Sequence, residues 1–92
     1  MNQKEFEHNA QGAKTMMSIS GEPRNQDYWT GYLRGLRRCY HGEKFGTFEE
    51  HCLWMDNGNK AQDEQRSCRS KGYQAGYAGM SISDAIINCR SA

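Results

Sequence analysis

The apolar positions of this chain recur at helical intervals. Tyr28, Trp29, Tyr32, Leu33, Leu36 and Tyr40 recur at one-, three- and four-residue steps, the spacing of one helix face. This predicts a helix over residues 27–41, capped by Asn25 or Asp27 and ended by Gly42. Arg34, Arg37, Arg38 and His41 fall mainly on its other side. Thr47-Phe48-Glu49-Glu50 has the form of a capping box, with Glu50 reaching back to the cap. A helix over 47–56 follows, predicted to bury Phe48, Cys52 and Met55, and Asp56-Asn57-Gly58-Asn59 is a turn cluster that stops it. A third helix is expected over 62–78. It carries the small residues Cys68, Gly72, Ala75, Gly76 and Gly79 as a stripe beside Tyr73, Tyr77 and Met80. Ser81 or Ser83 caps a last helix over 82–89, with Ile82, Ala85, Ile86 and Cys89 inward. Residues 1–23 are ambiguous: Lys4 to Met17 reads as a helix, Thr15 to Ser20 equally as a strand. Gly21-Glu22-Pro23 reads as a linker turn.

One segment echoes another. Gly31-Tyr32-Leu33-Arg34-Gly35-Leu36 matches Gly72-Tyr73-Gln74-Ala75-Gly76-Tyr77 at an offset of 41 residues. Each copy precedes a loop and a capped helix, an arrangement that predicts two packed helical hairpins. Interior glycines cost about 1 kcal/mol each against Ala, so they persist best where another backbone must come close.

The composition fits a small, thin-cored domain. Ninety-two residues make one domain, read as residues 1–92 with an N-terminal segment 1–23 and a helical body 24–92. Leu, Ile and Phe total ten and Val is absent, which is sparse for a globular core. Ten aromatics and five Met refill it. The lack of Val, with only three Thr, argues against an extensive sheet. The fold class is therefore mainly α, a single domain of short packed helices. The alternative is α+β with a small N-terminal strand pair.

The net charge of +1 conceals alternating blocks. Residues 24–44 carry five cations against two anions, residues 45–65 one cation against five anions, and residues 66–92 four cations against one anion. These blocks are either solvated faces that pair with one another or a polarised surface for a charged partner. The small total argues against strong non-specific nucleic-acid binding. No apolar run is long enough to span a membrane, and the first residues lack a signal-peptide stretch. The expected location is cytoplasmic, where cysteines are more often free thiols or metal ligands than disulfides.

The candidate chemistry is thin. Cys39, His41, His51 and Cys52 are the one set with zinc-type donors. His51 and Cys52 diverge by about 100° on a helix, however, which makes joint ligation awkward. The expectation is no metal and no cofactor. No phosphate loop, Ser/His/Asp order or paired-carboxylate signature is present, and Glu49 beside Cys52 opposes thiolate formation. No catalytic residue is assigned, and the protein is expected not to be an enzyme. Arg34 and Arg38 stand one helical turn apart with Arg37 beside them. Arg forks of this kind bind phosphates and carboxylates.

Two resemblances add to this reading. Lys71-Gly72-Tyr73-Gln74-Ala75-Gly76-Tyr77-Ala78-Gly79 resembles the opening helix of the ribosome modulation factor family, although that family's second helix, rich in Trp and Gly, does not follow Gly79 here. The block from Asp27-Tyr28-Trp29-Thr30-Gly31-Tyr32-Leu33-Arg34-Gly35-Leu36-Arg37-Arg38 through Tyr40-His41-Gly42-Glu43 to Phe45-Gly46-Thr47 looks like small proteins of phages and mobile elements. In length and overall sequence the chain is similar to the type I-F anti-CRISPR proteins of phages. That resemblance implies a stoichiometric inhibitor in the host cytoplasm. It would bind protein subunits of the type I-F surveillance complex, with or without guide RNA, and block target DNA. No membrane or small-molecule substrate is implied. The rivals are a ribosome- or RNA-binding modulator and a zinc-stabilised regulator. The expected partner-binding residues are Arg24, Asn25, Gln26 and Asp27, exposed by the linker turn, with Arg34, Arg37 and Arg38 facing out from the helix.

Overall fold

The computed structural model describes residues 1–55 and 64–90. The helices are α1 (Gln3–Ile19), α2 (Pro23–His41), α3 (Phe48–Met55), α4 (Glu64–Tyr77) and α5 (Ile82–Arg90), with one 3-10 turn at Gly42–Lys44. The protein is mainly α, and the described residues contain no strand. The turn cluster expected at Asp56-Asn57-Gly58-Asn59 lies outside the described residues.

The N-terminal segment is a helix, which corrects the strand alternative. The Asn2 side chain accepts the backbone N–H of Glu5 at 2.8 Å, satisfying one of the free donors of the first turn. Ala13 is fully buried, and Met16 and Met17 pack on the core, so this face is held by packing. The second helix starts four residues earlier than the sequence predicts. Glu22 is its N-cap and Pro23 its first residue, where the fixed φ of proline suits a helix and its missing N–H costs nothing. Gly42 ends it with φ 78°, a left-handed value that glycine adopts without strain.

The echoed segments pack against each other, and they run parallel. A Cβ placed on Gly31 would lie 2.0 Å from the Arg69 carbonyl oxygen, and one on Gly35 2.1 Å from that of Tyr73. Reciprocally, a Cβ on Gly72 would lie 1.9 Å from the Tyr28 carbonyl oxygen and one on Gly76 2.1 Å from that of Tyr32. Partner positions rise together along both helices, and the two kinds of contact, 38 and 44 residues apart, are exchanged by the echo offset of 41. The two glycine pairs thus form one seam with a local pseudo-two-fold axis along the helices. The small-xxx-small spacing lets the backbones touch, and the carbonyls face glycine Cα–H groups. The expected pair of hairpins is corrected: the copies are the two halves of one contact. A parallel pair also needs a long return. The end of α2 and the start of α4 are separated by the length of a helix of 19 residues, about 28 Å, and α3 lies between them in the chain.

The pseudo-symmetry sends the matched tyrosines to opposite faces of the pair. On one face, α1 and α5 cover Tyr28, Trp29, Tyr32 and Leu36, all at most 2% exposed. The tyrosine hydroxyls are satisfied there. Tyr32 donates to the Met80 carbonyl at 2.6 Å. Tyr28 donates to the Ala85 carbonyl at 2.9 Å and accepts from the Asn88 amide. Burial pushes the Tyr28 hydroxyl up to about 12, against the Asn88 hydrogen bond, which lowers it, and with a smaller upward push from Cys89. A chain short of aliphatic residues closes its core with aromatic bulk whose polar ends reach backbone carbonyls. The buried Asn9 side chain accepts the N–H of Ile82 and ties α1 to the start of α5, where the Ser81 hydroxyl also accepts from Asp84. On the opposite face sits α3.

Candidate interaction surface

Tyr73, the counterpart of Tyr32, meets α3. Its hydroxyl lies 2.8 Å from Nδ1 of His51. The His51 ring also packs on Tyr77, with centroids 4.7 Å apart. Trp54 packs on Tyr73 and lies under two guanidinium groups, Arg34 at 5.3 Å and Arg69 at 5.7 Å from the ring centre. Glu50 forms an ion pair with Arg34. The Gln74 amide donates to the Met55 carbonyl at the end of α3. Partial burial, then the positive charge of Arg38, holds the His51 imidazole below its usual range, because both disfavour a second positive charge in the contact.

This docking overturns the expected inward face of α3. Phe48 is 69% exposed, Leu53 51% and Met55 37%, and Cys52 is exposed. No residue of α3 is fully buried. The body presents guanidinium groups and a tyrosine at this place, so the residues that turn inward are those that pair with them: a carboxylate, an imidazole and an indole. Glu50, His51 and Trp54 share one side of the helix, and the apolar stripe is left outside. The Thr47 cap does form, with its hydroxyl accepting the Glu50 N–H at 3.0 Å. The Glu50 carboxylate goes to Arg34.

The expected partner-binding set is not one surface. Arg38 is only 6% exposed and donates to the carbonyls of Phe45 and Thr47 at 3.0 and 3.3 Å. It pins the turn that leads into α3, which corrects the expectation that it faces out. Its charge is buried because carbonyls solvate it where water does not reach. Arg34 is half-buried, held by Glu50 and stacked on Phe45 and Trp54. Arg37 is half-buried. At the other end of α2, Arg24 and Gln26 are exposed, while Asn25 and Asp27 are half-buried. Asn25 accepts from the Cys89 thiol at 3.6 Å, the Gln26 amide donates to the Ser20 carbonyl, and Asp27 accepts from Gln65 and faces Arg69. Arg24 and Arg38 are about 21 Å apart along the helix axis.

The four cysteines are free thiols. The described residues bring no three His, Cys, Asp or Glu side chains together as a metal-type cluster. Cys52 points to solvent while His51 turns to Tyr73. No described helix is long and apolar enough to cross a membrane.

The surface with an unexplained chemistry is therefore the outer side of α3: Phe48, Glu49, Cys52 and Leu53, with Met55 at its edge. The sequence carried a signal for it. Glu50, His51 and Trp54 recur at helical spacing just as Phe48, Cys52 and Met55 do, and the basic, aromatic character of the facing helices favours the first set. Comparisons with family models, curated proteins and solved structures find no match for this chain.

Proposed function

We propose that this protein is a stoichiometric inhibitor that binds the type I-F CRISPR surveillance complex and blocks target DNA binding. It acts by occupancy and not by turnover. The identity of the partner rests on the resemblance of the chain to type I-F anti-CRISPR proteins. The observation that carries a binding role is the outward apolar side of α3, where Phe48, Leu53 and Met55 stand in solvent on a body whose core is closed without them. Large apolar side chains grouped on a surface mark binding faces. A standard interface takes about 800 Å² from each partner, which the α3 side and its surroundings can supply. Arg24, Gln26 and Arg37 keep enough exposure to extend the contact to carboxylates or to guide-RNA phosphate.

The test is a pull-down of the tagged protein against purified type I-F surveillance complex and against ribosomes from the same host. Retention of the surveillance complex alone, with subunits in fixed ratio, supports the reading. Retention of ribosomes alone replaces it with a ribosome-binding modulator.

A further inference from the structure

The outer side of α3 combines two kinds of chemistry. Phe48, Cys52, Leu53 and Met55 supply apolar area. Among them, between Cys52 and Leu53 around the helix, stands the exposed carboxylate of Glu49. The other carboxylate of this helix, Glu50, is already neutralised by Arg34. α3 contains no Lys or Arg, and the 56–64 stretch that follows has Asp56, Asp63 and Glu64 against Lys60 alone. The face is apolar with an acidic centre.

We infer that this face docks on an apolar protein surface bordered by Lys or Arg, with a partner cation meeting Glu49. The inference rests on the reading that the protein works by binding another protein and names the chemistry of that partner. Charge decides between occupants. A nucleic acid or an anionic bilayer would be repelled by Glu49, on a helix with no Lys or Arg to offset it. A second copy docking isologously would set the same acidic patch against itself, at a cost. A surface with an apolar floor and a cationic rim gains from both components. Its carboxylate contact supplies register, and its contact with Phe48 and Leu53 supplies most of the affinity.

The mount of α3 fits this use. It is fixed to the body through Thr47, His51, Trp54 and Arg38, none of which belongs to the outer side. Phe48 reaches this mount only through the edge of the His51 ring, 6.3 Å between centroids, and Leu53 only at the rim of a cavity with Trp54 and Arg69, so polar replacements there leave the anchoring hydrogen bonds and stacked guanidinium groups in place.

The test uses the full chain, isotopically labelled, and two synthetic amphipathic helices of identical Leu face, one flanked by Lys and one by Glu. The Lys peptide is expected to shift the amide resonances of residues 48–55 and 77, leaving those of α1 and α5 in place. The double variant Phe48→Ser, Leu53→Ser should keep its melting temperature and bind about tenfold more weakly or worse. Glu49→Lys should exchange the preference, so that the Glu peptide binds better than the Lys peptide, and circular dichroism checks that the helices persist. Equal binding of both peptides, or shifts centred on Ile19 and Ile87, overturns the inference. So does a dimer that Phe48→Ser abolishes, or sedimentation with phosphatidylglycerol vesicles. If the charge exchange is seen and the surveillance complex is not retained, the partner chemistry stands and the proposed target falls. Retention of the complex by the double variant at unchanged affinity removes α3 from the contact and leaves the target in place.

Discussion

Gly76 has no room for a side chain because the carbonyl oxygen of Tyr32 occupies it. A Cβ there would lie 2.1 Å from that oxygen and 2.6 Å from the Leu36 nitrogen. Both obstacles are backbone, so no rotamer change relieves the clash. The relation returns at Gly35 and Tyr73 with the helices exchanged. The fold is thus organised by a seam of four glycines, and its aromatic core is built around that seam.

Gly76→Ala and Gly35→Ala should each destabilise the protein by about 3 kcal/mol or more, since overpacking at backbone exceeds the usual range of about 1–3 kcal/mol. The helix-propensity gain of about 1 kcal/mol recovers only part. Gly21→Ala, where nothing lies within 4 Å, should change stability by less than about 0.5 kcal/mol. Urea denaturation of the three variants measures this.

Arg38→Ala should cost about 2–3 kcal/mol, because it removes two charge-assisted hydrogen bonds and leaves the Phe45 and Thr47 carbonyls short of a donor. Lys14→Ala, at an exposed position, should fall within about 0.5 kcal/mol. Equal effects in denaturant titrations would refute the placement of Arg38.

The existence and order of the four later helices could be read from periodicity and turn residues, and the close approach at the glycines from their spacing. The parallel direction could not, because an offset of 41 residues does not say whether two copies meet each other or two other helices. The error at α3 has a specific cause. Hydrophobic periodicity assumes an apolar body, and here the facing side chains are Arg34, Arg69 and Tyr73. The same pairing explains why Arg34 and Arg38 turned inward. Amphipathic patterning assigns guanidinium to solvent, and only the positions of the Glu50 carboxylate and the Phe45 and Thr47 carbonyls reveal otherwise.

Acidification should loosen α3. His51 has a folded value below its usual 6.5, so between those two values the unfolded chain binds more protons than the folded one. Its contribution is complete above about 6.5 and is lost as pH falls below it. Protection of the amides of residues 50–54, taken relative to their intrinsic exchange rates, should fall from pH 7 to pH 5. His51→Gln should flatten that dependence; a dependence unchanged in the variant would contradict the assignment.

Alkaline titration should find hidden tyrosines. Burial raises the hydroxyls of Tyr28, Tyr32 and Tyr73 above the usual 10.0. Above about pH 10 the unfolded chain ionises first, so the contribution of these groups to stability is full below that pH and falls as pH rises. Absorbance at the phenolate band should show fewer than five tyrosines ionising before unfolding, and the remainder with it. Five ionising together while helicity is retained would contradict their burial.

Binding by occupancy is checked by titrating the protein into purified type I-F surveillance complex and reading target DNA binding by gel shift. Inhibition is expected to rise linearly and saturate at a fixed molar ratio, and Phe48→Ser with Leu53→Ser to shift the curve to higher concentration. Undiminished DNA binding at a large excess of protein, or complete inhibition at a small fraction of one equivalent, would contradict it.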